Sequence, residues 1–191
     1  YTLGPDSPEN RAIALFINNF IEEPFYTEMR TRQQLGYIVW SVTFPQEQEL
    51  FAAFIIQSAD YPADEIQNRV EAFLESVPDI LAKLPDERFA SIVAGARAQV
   101  EEKGKSIAER ASRFFLRAYE YNEDWERRRN TLEALDNLTR DQVEETLVQM
   151  LSPETGRVRN VLAFARQHEP GPGTKASYED VEKWKSERQF D

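Results

Sequence analysis

Glu23–Phe44 reads EPFYTEMRTRQQLGYIVWSVTF and changes its period once, at Gly36. Before the glycine, Phe25, Tyr26, Met29 and Gln33 keep helical spacing, while Glu28, Arg32 and Gln34 fall on the other face. Gly36 is expected to end this helix by taking a positive φ. From Tyr37 the period is two: Ile38, Trp40, Val42 and Phe44 share one face, and Tyr37, Val39, Ser41 and Thr43 the other. A helix-to-strand junction results. It presents a guanidinium, Arg30, and a phenol, Tyr37, from a rigid corner, and both groups can donate hydrogen bonds to a peptide carbonyl or a developing oxyanion.

Working outward, Ser7-Pro8-Glu9 starts a helix with an N-cap, a first-turn proline and an acid. Ile13, Phe16, Ile17, Phe20 and Ile21 form its buried stripe, and it is expected to stop before Pro24. On the other side, Pro45–Glu49 is a polar turn and LFAAFIIQS, Leu50–Ser58, a second strand, so the pair reads as an antiparallel hairpin. That strand is almost continuously apolar, which predicts burial on both faces, or helices on one face and a cavity on the other. A long helix follows Tyr61-Pro62, with Pro78 expected to kink or divide it, and another starts at Pro85. Ser106-Ile-Ala-Glu109 and Thr139-Arg-Asp-Gln142 match capping boxes. Ala108, Ala111, Phe114, Phe115 and Ala118 are expected to pack inward, and Asp124 to cap a short helix. Arg157–Ala165, RVRNVLAFA, alternates and reads as a third strand.

Strands segregated from a block of helices indicate an α+β domain, an antiparallel sheet covered on one side by helices. Three strands make a thin sheet, and a further strand before Tyr1 is expected to complete it. Residues 1–168 form the single domain; Glu169-Pro-Gly-Pro-Gly-Thr174 is a linker and the rest a tail with Tyr178, Val181, Trp184 and Phe190 among charges.

The chain has 191 residues, 41% of them hydrophobic, which is enough for a core. A net charge of -11 opposes nucleic-acid and anionic-membrane partners. The basic run Arg127–Arg128–Arg129 sits among Glu123, Asp124, Glu126 and Glu133 and reads as a solvated helix face. With no cysteine, disulfides and thiol chemistry are excluded, and cytosol and periplasm suit the chain equally. No apolar run approaches the ~20 residues of a membrane span. His168, the single histidine, reads as a surface residue beside a strand end, because a zinc site needs three or four protein ligands. There is no nucleophile elbow and no phosphate-binding loop. Adjacent acids such as Glu22–Glu23, Glu101–Glu102 and Glu144–Glu145 read as solvated helix faces.

Arg30–Val39, RTRQQLGYIV, resembles the R-T-x-x-Q-L-G-Y-x-V segment of the pitrilysin/insulinase family of zinc metallopeptidases. The likeness extends through EEPFYTEM, FIIQSADYPADEIQNRVEAFL, EKGKSIAERASRFFLRAYEYNEDWERR, LTRDQVEETLVQML and the closing VRNVLAFA, in that order. It implies the last of four homologous domains, with the insulinase/mitochondrial-processing-peptidase fold, in a protein whose two halves close around a peptide. The family holds zinc in its first domain through H-x-x-E-H, which this chain lacks. The resemblance therefore implies zinc in the parent and no cofactor here, a chain inactive alone, upstream domains of the same polypeptide and peptide substrates as partners, and a tilt towards the periplasm. It assigns substrate contact near the scissile bond to the positions of Arg30 and Tyr37. A structural or peptide-binding subunit of an inactive relative is the alternative reading.

Overall fold

The computed structural model describes residues 1–121, 123–168 and 183, so the expected linker and, apart from Lys183, the expected tail lie outside the described residues. Strand β1, Thr2–Pro5, leads into helix α1, Pro8–Tyr26, whose Ser7 cap accepts a hydrogen bond from the Asn10 amide at 3.2 Å. Strands β2, Ile38–Gln46, and β3, Glu49–Gln57, form the hairpin. Helices α2, Ala63–Ala82, α3, Asp86–Glu101, α4, Ile107–Tyr119, α5, Arg127–Asp136, and α6, Arg140–Leu151, follow. The sheet is antiparallel with order β1-β3-β2. The α+β class, with helices on one side of the sheet, is thus the observed one.

The core lies between the sheet and the helices. Phe16, Ile17, Phe20, Ile21 and Phe25 of α1 meet Val39, Leu50 and Ala52 of the hairpin, then Leu74, Val77 and Leu81 of α2 and Val143, Leu147 and Met150 of α6. The other face of the hairpin is open: Trp40, Val42 and Ile55 remain exposed. The apolar second strand is thus buried on one face only, under the helices, and its other face is exposed. Its two-residue turn places Glu47 and Gln48 at φ of 48° and 67°, as a tight hairpin twist requires.

Several expectations are corrected. Helix α1 does not stop at Pro24 but runs through it to Tyr26. An interior proline costs ~3 kcal/mol. Burying Phe25 against Phe54 and Phe73, followed by wholly buried Met29, returns ~1.5–3 kcal/mol for each side chain and outweighs it. Helix α2 is likewise undivided at Pro78. Residues 157–165 form no strand; β1 takes the third place in the sheet, and the Thr2 amide donates to the Arg157 carbonyl at 3.0 Å.

The inward packing expected of α4 is absent. None of its residues is buried, and Phe114, Phe115 and Tyr119 stand exposed. Asp124 does not cap α5; it accepts from Arg11 at 2.9 Å. Only Arg129 of the basic run is a solvated residue. Arg127 is half-buried, paired with Asp6 at 2.7 Å and over the Tyr121 ring, and Arg128 donates to the Val100 and Glu101 carbonyls near the end of α3. The capping box at Thr139 forms in full. At Ser106 only the serine half does, while Glu109 accepts from the Lys105 amide instead.

Candidate functional site

Between α1 and β2 the chain does not form the ordinary α-turn expected. Thr27–Arg32 is a turn of π-helix, in which the Gln33 amide reaches back five residues to the Glu28 carbonyl at 2.9 Å. A π-turn holds one extra residue per turn and is a frequent device for re-aiming side chains at functional sites. The Leu35 amide closes it onto the Met29 carbonyl at 2.9 Å, and both side chains are fully buried, so the turn is pinned from beneath. Glu28 accepts from Arg32 and Gln33, and Arg69 of α2 donates to Gln33 at 3.3 Å.

The residue that reverses the chain is Gln34, at φ 53°; Gly36 does not take a positive φ. Glycine is needed there for a different reason. A Cβ on Gly36 would lie 2.0 Å from the Gln57 carbonyl oxygen, so only a bare backbone passes the end of β3 this closely. The motif's glycine is legible in sequence, but its role depends on a strand twenty residues away.

This corner brings Arg30 and Tyr37 together. The guanidinium carbon lies 5.5 Å from the centre of the Tyr37 ring, a cation–π contact. Tyr37 is 85% exposed, so ring and hydroxyl are open to a ligand. Among the described residues no carboxylate lies within ion-pair distance of Arg30, although most other arginines of this acidic chain are paired or bonded to carbonyls. Stacking uses the face of the guanidinium and leaves its in-plane N–H donors available. The pair can therefore donate several hydrogen bonds to carbonyl or carboxylate oxygens while the π-turn fixes its position. The half-buried scaffold of Glu28, Gln33 and Arg69 leaves no mark in the sequence, because nothing local links residue 33 to residue 69.

His168 is half-buried beside β3 and α2, and its Nε2 is enclosed without a hydrogen-bond partner among the described residues. Among the described residues no group of three His, Cys, Asp or Glu side chains is placed to hold a metal ion.

Comparison with known proteins places this corner in context. Residues 16–115 match the family described as PQQ synthase PqqF-like, C-terminal lobe domain 4. The insulin-degrading enzyme of Mus musculus is 29% identical over 157 residues, covering 80% of this chain and 15% of that protein. Protease 3 of Salmonella typhimurium is 26% identical over 111 residues, 58% of this chain and 12% of the relative. The crystal structure of pitrilysin superposes with a TM-score of 0.69 at 22% identity, covering 76% of this chain and 16% of that one, which shows a shared fold. The chain thus spans about a sixth or less of the proteins it resembles. With half of its length matched by a C-terminal-lobe family model, this chain belongs to the pitrilysin/insulinase family, to the part of it that forms the C-terminal lobe.

Proposed function

We propose that this domain contributes Arg30 and Tyr37 as substrate-backbone contacts to a zinc-dependent metalloendopeptidase, and helps to close its peptide-holding chamber. The zinc implied by the family belongs to the parent, at a site outside this chain, and the chain alone is inactive. The observation that carries the reading is the stacked, carboxylate-free Arg30 beside an exposed Tyr37 on a pinned π-turn. Two rigid donors of this kind hold an extended peptide by its carbonyl oxygens without reading its side chains. They also strengthen as charge develops on a carbonyl oxygen.

The test uses the full-length parent and a quenched fluorescent peptide. Tyr37→Phe removes only the hydroxyl, and Arg30→Lys keeps the charge but loses the planar fork. Each is expected to lower kcat/KM by about 10²–10³-fold, the usual effect of losing one such donor, with the unfolding midpoint unchanged. Wild-type kcat/KM in both variants would sink the assignment. A parent that binds peptides without cleaving them would favour the peptide-binding subunit instead.

A further inference from the structure

The hairpin face turned away from the helices is stepped. Val39, Leu50 and Ala52 point into the core, so by alternation the even residues of β2 and the odd residues of β3 point outward. The register pairs Trp40 with Ile55, Val42 with Ala53 and Phe44 with Phe51 across this face. It ends on polar side chains, Gln57 at one end and the Gln46–Glu49 pair at the other. An apolar patch with a polar rim is the common make-up of a contact surface.

Within the patch one place is missing. Successive side chains on one face of a strand stand ~6.8 Å apart, close enough for large ones to touch. Along β3 the row is Phe51, Ala53, Ile55, so Ala53 leaves a gap between two large neighbours. Val42, opposite, is also short. Trp40 and Ile55 rise on one side of the gap; on the other, the Phe44 and Phe51 rings are stacked at 5.7 Å. Trp40 is 63% exposed, Val42 and Ile55 are exposed, and Ala53 is partly open, so the gap is reached from outside. Its room is that of one large side chain. Strand β2 enters this face directly from Tyr37, and the Val42–Ala53 step lies five residues further on, roughly 17 Å in an extended chain.

We propose that the gap over Ala53 receives one aromatic or branched apolar side chain of the peptide substrate, about five residues from the carbonyl held by Arg30 and Tyr37. This rests on the reading of that pair as a backbone contact. Two observations favour a peptide over a second copy of this chain or another domain. The face is continuous with the exposed Tyr37. The gap also takes a single side chain, whereas domains meet over some 800 Å² each. The pair grips a backbone without reading side chains, and the gap supplies the selection that it lacks. The substrate class is an extended peptide with a bulky apolar residue at a set distance from the cut, and Trp40, Ala53 and Ile55 determine that preference.

The test uses the full-length parent and quenched fluorescent peptides that are polar except for one phenylalanine, moved a residue at a time to either side of the bond cut. Mass spectrometry fixes where each is cut. At one position about five residues from the cut, phenylalanine is expected to raise kcat/KM at least ~10-fold over serine, mainly through KM. Ala53→Leu fills the gap from below and Trp40→Ser removes a wall; each is expected to bring that ratio under ~2-fold. Both positions lie outside the core, and urea midpoints check that the variants fold. No preference at any position overturns the proposal. So does a ratio unchanged in both variants, even where both peptides slow alike, which is the outcome if another domain or a second copy covers this face. Tyr37→Phe and Arg30→Lys are expected to slow both peptides equally. If they slow neither while Ala53→Leu erases the ratio, the carbonyl contact fails and the gap stands.

Discussion

Arg30, Tyr37 and Gly36 show how far single residues can be read. The first two read as donors at a helix–strand junction from sequence alone, and their 5.5 Å approach follows from the π-turn that no local pattern announced. Gly36 was expected to terminate a helix by its φ, yet Gln34 does that work. Gly36→Ala is expected to destabilise the domain by ~1–3 kcal/mol, because its new methyl would need backbone to move rather than a side-chain tip. A urea midpoint equal to wild type would contradict the close approach to Gln57. Gln34→Gly, by contrast, relieves a left-handed residue and is expected to raise stability by several tenths of a kcal/mol in the same assay.

At the scale of elements, amphipathic pattern and contact part company. Helix α4 has as clear an apolar face as α6, but only α6 buries its own. Phe115→Ser is therefore expected to change the unfolding free energy of this chain by less than ~0.5 kcal/mol. Leu147→Ala, at a wholly buried position, is expected to cost ~2–5 kcal/mol. Thermal or urea unfolding of the two variants side by side checks both. The joints between elements are polar. Asp6 sits buried between Arg11 and Arg127, joining the β1–α1 corner to α5 across 121 positions of sequence. Arg140 at the start of α6 donates to the Leu81 and Leu84 carbonyls and so caps α2. Asp6→Ala removes the carboxylate that Arg11 and Arg127 share, leaving Arg11 only its bond to Asp124, and is expected to cost ~1–3 kcal/mol, read as a fall in the urea midpoint. The basic run looked solvated because its neighbours in sequence are acidic, while the acid that matters to Arg127 comes from the other end of the domain.

In the 191-residue chain taken on its own, the free α-amino group at Tyr1 gives a pH signature. Burial favours its neutral form when folded, so between its lowered folded pKa and 8.0 the unfolded chain binds more protons. Stability from this group therefore rises with pH across that window and levels off above about 8. Acetylating the amine is expected to flatten that part of the profile. Urea midpoints of both forms at about pH 6.5 and 8.5 check this, and an unchanged slope would contradict it. By itself, the sequence determined the class, the order of the helices around the hairpin, the resemblance to the family and the two donors at the junction. Those depend on period, caps and motif, which are local and written in adjacent residues. Tertiary structure alone decided that α1 passes Pro24, that α4 stays uncovered, which arginines are drawn into ion pairs, and that residues 157–165 do not join the sheet. Each of these is settled by what packs against a segment from far along the chain. A local pattern offers an apolar face or a charge, but its partner is chosen by the competition among all the surfaces the fold brings together.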